Sequence, residues 1–385
     1  MTGNNRFLRL SQSAVGPEEV QAVARVLLEE GYLGMGKEVA AFEAELAAFL
    51  GVSREQVVCV NTGTSALHLA VEAVTKPGDE VLVQSLTYVA SFQAVSAARA
   101  VPVPCEVLPA TVTLDLRDAA KRLSPWTRAV MPVHYASNPG DLQAIYAFAR
   151  RHGLRVIEDA AHAFGCHYQG RLIGSFGDII CFSFDGIKNI TSGEGGAVVT
   201  ADRQVARRVR DARLLGVERD TERRFAGQRS WEFDVRHQGY RYHLSNLLAA
   251  LGRVQLRRFP TELAPRRVAL ARIYRERLAG IPEVRLFEAD LENLVPYIQP
   301  LAVLYGRRDG LRDFLAGQGI ETGIHYKPNH LLNFYGQGKL SLPVTEQLYE
   351  ELLTLPLHPG LTEAEVHRVC DQVQAFFQPT EEAGT

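Results

Sequence analysis

The stretch Ser183-Phe184-Asp185-Gly186-Ile187-Lys188-Asn189 decides the fold, together with Glu158-Asp159-Ala160-Ala161-His162, which begins 25 residues upstream. The second of these stretches closes an apolar run at residues 154–157, and the first closes another at residues 179–184. Runs of this length that are almost wholly apolar are typical of strands buried on both faces. The sequence therefore predicts an acid and a lysine just beyond the ends of two buried strands.

Outward from these stretches, apolar runs alternate with helix-like segments between residues 57 and 200. Predicted strands cover residues 57–60, 80–83, 101–105, 129–133, 154–158, 179–184 and 197–200, and predicted helices cover 67–74, 89–97 and 142–151. This alternation predicts an α/β fold with a mostly parallel sheet covered by helices on both faces. Ligands of such sheets bind beyond the carboxyl ends of the strands, where Asp159 and Lys188 lie.

The chain of 385 residues is too long for one small core, so a large and a small domain are expected. Residues 1–254 are interpreted as an N-terminal arm and a large cofactor-binding domain, and residues 255–385 as a small α+β domain. Residues 201–240 are charged without clear periodicity and predict a solvated helix and loop. A helix over residues 244–256 is expected to end near Phe259-Pro260.

Composition excludes several classes of protein. The formal net charge is −2, with 46% hydrophobic and 22% charged residues, so no basic surface for nucleic acid or anionic membrane is expected. The five cysteines show no CxxC or Cys/His spacing, which argues against a metal site or a disulfide framework. No apolar run approaches the 18 residues of a membrane span. We therefore expect a soluble cytoplasmic protein.

The turn Asn61-Thr62-Gly63-Thr64-Ser65-Ala66-Leu67 follows a predicted strand and opens a helix. Backbone N–H groups and the helix dipole at such a turn favour a phosphate. Taken alone, an ordinary capped turn is the stronger interpretation. The sequence contains no GxGxxG after a strand and no GxxxxGK[ST], so nicotinamide-binding and P-loop interpretations lose their main support.

Asp159 and Lys188 each have a commonplace alternative. Asp159 could cap the helix that starts at Ala160, and a lysine in a loop is usually a surface residue. Together with the phosphate turn, however, an acid and a lysine on neighbouring strand ends can hold a phosphate-bearing pyridine aldehyde. The lysine would form the Schiff base, the acid would keep the ring nitrogen protonated, and the Ser183 hydroxyl could reach the same phosphate. The pattern predicts pyridoxal phosphate.

With these motifs in place, the sequence resembles the DegT/StrS nucleotide-sugar aminotransferases, pyridoxal-phosphate enzymes of fold type I. The resemblance extends over about residues 10 to 360. It rests on spaced motifs in the family's order: Gly63-Thr64-Ser65-Ala66-Leu67, Pro77-Gly78-Asp79-Glu80-Val81, Pro132-Val133-His134, Glu158-Asp159-Ala160-Ala161-His162, Ser183-Phe184 with Lys188-Asn189-Ile190, Gly193-Glu194-Gly195-Gly196, Ala249-Ala250-Leu251-Gly252 and His325-Tyr326.

The resemblance implies a role for each matching position. Lys188 would be the Schiff-base lysine and proton shuttle, Asp159 the partner of the ring nitrogen, and His162 a hydrogen-bond partner near the ring hydroxyl. Tyr88 would stack on the ring. The phosphate would be held by Gly63, Thr64, Ser65 and Ser183, and the sugar nucleotide by Tyr32, His243, His325, Tyr326 and Lys327.

Two segments depart from the family pattern. Where relatives read Gly-Tyr-Asn-Tyr-Arg, with the Asn reaching the partner subunit's phosphate, this chain has Gly239-Tyr240-Arg241-Tyr242-His243. Arg241 could replace that Asn as a phosphate clamp, or Arg241 and His243 could face the nucleotide. The run His134-Tyr135-Ala136-Ser137-Asn138 lacks the Gly that relatives carry soon after the His, which could reshape the sugar pocket.

The resemblance implies transfer of an amino group, with L-glutamate as expected donor, to C3 or C4 of a nucleotide-linked keto-deoxysugar, in a homodimer with shared sites. One alternative is a sugar dehydratase or deoxygenase on this fold, but such relatives carry His in place of Lys188. A non-catalytic regulatory relative is another. Cysteine desulfuration would need a loop nucleophile, whereas Cys370 lies within a predicted helix. The sequence leaves the nucleotide, the aminated carbon and its stereochemistry open.

Overall fold

A mixed sheet forms the centre of the computed structural model, which describes residues 7–217, 223, 225, 233–235, 237–336 and 340–378. Within these residues seven strands pair in the order β1-β9-β8-β5-β4-β2-β3. Their bounds are β1 Val57–Val60, β2 Glu80–Gln84, β3 Val101–Cys105, β4 Thr127–Met131, β5 Arg155–Asp159, β8 Ile179–Ser183 and β9 Gly196–Thr200, and β6 His167–Tyr168 with β7 Arg171–Leu172 form a separate hairpin.

The sheet is parallel from β8 through β5, β4 and β2 to β3, whereas β9 runs antiparallel to both of its neighbours. The predicted α/β class with a mostly parallel sheet is therefore confirmed. Asp159 pairs in register with Cys181, so β5 and β8 end side by side. This pairing brings the acid and the lysine loop to the same edge.

Helices cover both faces of the sheet. One core cluster joins Phe42, Leu46, Phe148 and Phe182, and the other joins Leu67, Val71, Phe92 and Val198 across the opposite face. The helices are α1 Pro17–Arg25, α2 Lys37–Leu50, α3 Gly63–Val74, α4 Val89–Ala97, α5 Leu116–Lys121, α6 Leu142–His152, α7 Arg203–Ala212, α8 Asn246–Arg258, α9 Ala264–Leu278, α10 Arg308–Gly317, α11 Pro343–Glu351 and α12 Glu363–Phe377.

The α-helix α8 ends at Arg258, as expected near Phe259-Pro260. A single wide turn, Phe259–Leu263, joins α8 directly to α9. Pro260 occupies one of the first two positions of that turn, where its missing N–H and its ring are tolerated. The predicted domain boundary at residue 255 falls inside α8, where the Gln255 side chain donates to Glu19 at 2.7 Å. The division at that residue stays a prediction.

A second, three-stranded antiparallel sheet follows in the order β10 Val284–Leu286, β11 Gln299–Val303 and β12 Leu352–Leu355. Its core cluster draws residues from α9, α10 and α12, among them Leu270, Leu311 and Val369. Residues 218–222, part of the charged segment for which a solvated helix and loop were expected, lie outside the described residues. None of the helices in the described part of the chain is long and apolar enough to cross a membrane.

Candidate active site

A cavity of about 440 Å³ opens at the carboxyl edge of the large sheet. Asp159 is the last residue of β5, and Lys188 lies five residues beyond the end of β8. Both side chains line this cavity, so the sequence prediction that places them together holds in the structure. The predicted site residues that line the cavity are Gly63, Thr64, Tyr88, Asp159, His162, Ser183, Lys188, His325 and Tyr326.

The start of α3 forms one wall of the cavity. Thr62 is the N-cap residue, and its hydroxyl accepts the Ser65 N–H at 2.9 Å. The amides of Gly63 and Thr64 belong to the first turn, where a helix has no acceptors of its own, and the positive end of the helix dipole adds to them. This wall therefore suits a phosphate.

Ser183 and Gly63 approach each other so closely that only glycine fits at residue 63. A Cβ built on Gly63 would lie 2.6 Å from the Ser183 Cβ and 2.9 Å from its Oγ. The same close packing recurs at Gly196, where a Cβ would lie 2.5 Å from the Thr62 carbonyl oxygen. The glycines thus let the turn sit directly against β8 and β9, with the Ser183 hydroxyl beside the helix start.

The backbone around Lys188 is held from behind. Arg267, on α9, is only 2% exposed and donates to the carbonyl oxygens of Ile187 at 3.3 Å and Lys188 at 3.4 Å. Burial lowers the pKa of Arg267 to about 10, so it stays charged at neutral pH. The Asn189 amide donates to the carbonyls of Phe164 and Val295 at 3.1 and 3.0 Å. The lysine therefore projects from a rigid turn.

Inside the cavity, the Lys188 ammonium lies over the ring of Tyr297, with Nζ 4.1 Å from the ring centroid. His162 also packs against this ring, at 4.3 Å between centroids and 35° between planes. A cation over an aromatic face is attracted by the ring quadrupole. Tyr297 thus fixes the direction of the Lys188 side chain.

His162 and His325 are both neutral at physiological pH. Burial is the main cause that lowers the pKa of His162 well below its usual value, and Lys188 adds to the effect. Burial and Lys188 together lower the pKa of His325 to about 4. Neutral imidazoles are hydrogen-bonding groups, and His162 Nε2 lies 3.2 Å from the Tyr326 hydroxyl.

Asp159 is buried to 5% exposure, and both of its oxygens have donors. The Ser91 hydroxyl donates to Oδ2 at 2.7 Å, and the Ala161 N–H donates to Oδ1 at 3.2 Å. No helix begins at Ala160, because residues 160–166 form turns, so the helix-cap interpretation of Asp159 is wrong and the Ala161 N–H belongs to a turn. A buried carboxylate next to a cavity can pair with a cationic ligand group at low desolvation cost.

Tyr88 and Tyr326 close two sides of the cavity mouth, with ring centroids 5.4 Å apart. Tyr135 holds the segment that carries Tyr326, because its hydroxyl donates to the His325 carbonyl oxygen. Ser137, in the run that departs from the family pattern, accepts the Tyr297 N–H at 3.0 Å. That run therefore positions two residues of the cavity wall.

Five predicted residues do not line the cavity. The Ser65 hydroxyl donates to Asn61 Oδ1 at 2.7 Å, within the turn itself. Arg241 and Lys327 are exposed, and Tyr32 is 39% exposed beside α2. His243 bridges Val60 through its backbone. Their roles stay predictions, as do those of the residues that do line the cavity.

Several lining or supporting residues were missed by the sequence analysis. Tyr297 lies in Val295-Pro296-Tyr297-Ile298, a run without any ligand motif. Thr87 and Ser91 lie close in sequence to the predicted Tyr88. The predicted helix that begins at residue 89 was the signal that could have pointed to them. Asp185 and Glu194 line the cavity as well, and they lie in residues 183–189 and in the glycine-rich residues 193–196.

A lysine and an acid at the carboxyl edge of such a sheet, facing a phosphate-type helix start, are typical of pyridoxal-phosphate enzymes. Comparison with known proteins narrows this class. The DegT/DnrJ/EryC1/StrS aminotransferase family matches residues 14–374, and the chain belongs to that family. It is an aminotransferase.

Individual relatives agree with this assignment. The chain is 36% identical over 373 residues to the dTDP-4-dehydro-2,3,6-trideoxy-D-glucose 4-aminotransferase of Saccharopolyspora spinosa, covering 96% of each chain. It is 37% identical to S. venezuelae DesV, solved in complex with a ketimine intermediate, over 94% of this chain and 95% of that one, with a TM-score of 0.86. A putative sugar aminotransferase, Spr1654 from Streptococcus pneumoniae, solved in a PLP form, is 25% identical over 97% and 99%, with a TM-score of 0.88.

Proposed function

We propose that this protein uses pyridoxal phosphate to move an amino group from L-glutamate to a keto carbon of a nucleotide-linked deoxysugar. The observation that carries the proposal is that Lys188, Asp159 and the start of α3 line the same cavity. Membership of the aminotransferase family and the sugar-acting relatives support the substrate class. No observation favours the dehydratase or the regulatory alternative.

The described residues fit the cofactor. Gly63 is the position where a Cβ would fill the space beside Ser183, so the turn presents backbone amides rather than side chains to a phosphate. His162 Nδ1 is a buried ring nitrogen that has no hydrogen-bond partner among the described residues, which suits a hydroxyl on the ring of a ligand. When bound, pyridoxal phosphate supplies the electron sink through which an amine and a carbonyl exchange places.

Each side chain then has a specific task. Lys188 Nζ holds the cofactor and carries a proton to and from the substrate carbon as a general acid and base. The Asp159 carboxylate pairs with the protonated ring nitrogen, and Tyr88 covers the ring face. The amides of Gly63 and Thr64 and the Ser183 hydroxyl hold the phosphate. Because donor and acceptor share one cavity, the kinetics should be ping-pong.

We propose that the sugar enters past Tyr88 and Tyr326. His325, neutral and partly exposed to the cavity, offers a hydrogen bond to a sugar hydroxyl without a charge penalty. The S. spinosa relative acts on a dTDP-linked trideoxy sugar, and this supports a thymidine- or related nucleotide-linked substrate here. Whether C3 or C4 is aminated is decided by the assay below.

We propose a homodimer with shared active sites in the cytoplasm. Exposed apolar side chains on and beside α1, Val20 at 68% and Leu28 at 84%, offer a contact surface. Arg241 is exposed and does not line the cavity of its own chain, so it is available to bind a phosphate in the cavity of a partner subunit. All five cysteines are described and none is in a disulfide, which agrees with a reducing compartment.

The first test locates the lysine. Protein incubated with pyridoxal phosphate is reduced with borohydride and digested, and the peptide carrying the reduced cofactor is found by mass spectrometry. We expect the adduct on Lys188, its loss in Lys188→Ala, and its retention in the control Lys37→Ala, a surface lysine paired with Glu30. An adduct that persists in Lys188→Ala would contradict the assignment.

The second test identifies the reaction. The enzyme is incubated with L-glutamate and a panel of nucleotide-linked 3-keto- and 4-keto-deoxysugars, and products are read by mass and NMR. We expect one amino sugar whose spectrum fixes the carbon and its stereochemistry, with none from Lys188→Ala. Deoxygenated products without incorporated nitrogen would instead support the dehydratase alternative.

A further inference from the structure

Ser91 is a buried hydroxyl that the proposed chemistry does not use. It is 0% exposed, and its Oγ donates to Asp159 Oδ2 at 2.7 Å. This is a bond between α4 and the end of β5, 68 residues apart in the chain. A hydroxyl bonded to a carboxylate is a charge-assisted hydrogen bond, which is stronger than a neutral one.

The bond defines the orientation of the Asp159 carboxylate. The Ala161 N–H donates to the other oxygen, Oδ1, at 3.2 Å. A carboxylate with one donor on each oxygen cannot rotate freely about its Cβ–Cγ bond. Two of its roughly four lone-pair positions are thereby occupied, and those left can face a ligand in the cavity that Asp159 lines.

The same helix start that carries Ser91 also carries Tyr88. Tyr88 is the N-cap residue of α4, and its carbonyl oxygen accepts the Ser91 N–H at 3.3 Å. Thr87, which lines the cavity too, has its Oγ1 3.4 Å from the Ser91 Oγ. One turn of backbone therefore positions two residues. These are Tyr88, which is expected over the ring face, and Ser91, which holds Asp159, the expected partner of the ring nitrogen.

We propose that Ser91 is a positioning residue that aims Asp159 at the ring nitrogen of the cofactor. This inference rests on the proposed pyridoxal-phosphate function. Ser91 would then contribute to cofactor affinity only through the contact between Asp159 and the ring nitrogen. A ring that has no nitrogen should therefore be bound without regard to Ser91.

The experiment compares two ligands on protein freed of cofactor. One is pyridoxal phosphate, and the other is its carbocyclic analogue, in which the ring nitrogen is replaced by carbon. Dissociation constants are measured by titration of the visible absorbance of the bound compound. We expect Ser91→Ala to bind pyridoxal phosphate about tenfold more weakly, the size of a lost charge-assisted bond, and the analogue within about twofold of wild type.

Two further variants sharpen the comparison. Ser96→Ala removes a hydroxyl from the same helix, one that lies 3.2 Å from the Tyr335 hydroxyl and away from the cavity, and should leave both dissociation constants unchanged. Ser91→Cys keeps the shape of the side chain with a somewhat larger atom and offers a weaker donor, so it should show a smaller loss for pyridoxal phosphate alone. It also supplies the comparison if Ser91→Ala does not fold.

The outcomes separate cleanly. An equal loss for both ligands would show a merely structural role and overturn the proposal, as would no loss for either. A loss confined to pyridoxal phosphate supports it, since the difference between the ligands isolates the nitrogen. Failure of the wild-type protein to bind pyridoxal phosphate would instead contradict the proposed function itself.

Discussion

His325 is a neutral histidine whose surroundings disfavour its charged form. Its Nδ1 lies 2.9 Å from the Thr354 hydroxyl, and its ring borders the cavity that contains Lys188. Burial, and secondarily Lys188, lowers its pKa from 6.5 to about 4. Between these two pH values the unfolded chain binds a proton that the folded protein does not bind. Stability therefore rises with pH across this window and is lost as pH falls through it.

We predict that His325→Gln removes this pH dependence. The free energy of unfolding of wild type relative to the variant should fall by roughly 3 kcal/mol between pH 7 and pH 4. Urea unfolding of cofactor-free protein at a series of pH values measures it. His367→Gln, at an exposed position on α12, is the control and should follow the wild-type curve. Parallel curves for wild type and His325→Gln would refute the prediction.

For single residues, some site positions could be predicted from the sequence and others could not. Asp159 and Lys188 could be predicted because a charged residue next to a buried strand needs a reason to be there. Tyr297 and Ser91 could not, since an aromatic or a serine in an apolar segment is also ordinary core packing. Their roles come from contacts between residues 68 to more than 100 positions apart, which no local pattern encodes.

The turn that opens α3 is the element on which phosphate binding depends. We predict that Gly63→Ala weakens pyridoxal-phosphate binding about tenfold and lowers the free energy of unfolding by about 1–3 kcal/mol, because the added methyl overlaps Ser183. Titration of the visible absorbance and urea unfolding measure the two effects. The control Gly317→Ala, at a helical position with open space, should be neutral or stabilising.

A second variant tests the cause. In Gly63→Ala/Ser183→Gly the clashing Cβ and hydroxyl are gone, although the residue-183 Cα remains 3.2 Å away. Stability should largely return, whereas affinity should not, because Ser183 is also an expected phosphate ligand. If stability stayed as low as in Gly63→Ala, overlap with the Ser183 side chain would not be the cause.

The elements themselves were predictable where burial was strong. The bounds of the seven strands of the large sheet match the predicted runs to within two residues. Short, continuous apolar runs between turns are typical of buried strands. The short helix α5 and the strand β12, which follows α11 without a break, were missed. The wide turn Phe259–Leu263, which leads from α8 through Pro260 into α9, was not predicted, since a proline usually ends a helix.

On the scale of the whole molecule, the segment around Arg241 is held against α3, and Arg241 itself is exposed. The rings of Tyr240 and Tyr242 stack at 4.9 Å, and the Tyr240 hydroxyl donates to Glu72 on α3 at 2.8 Å. Alternate side chains of an extended segment point to opposite sides, so Arg241 faces away from α3. This arrangement suits a contact across a two-fold axis.

We therefore predict that two defective variants complement each other. Lys188→Ala and Arg241→Ala should each lose most activity, the latter through weaker phosphate binding. Dissociated together and reassembled at equal concentration, half of the dimers would be mixed, and each mixed dimer would contain one site with both residues intact. About a quarter of wild-type activity should then return. Mixing Lys188→Ala with Asp159→Ala is the control, because both residues come from the same subunit and no intact site can form. Activity that stays at the level of the separate variants would show that Arg241 serves its own subunit or none.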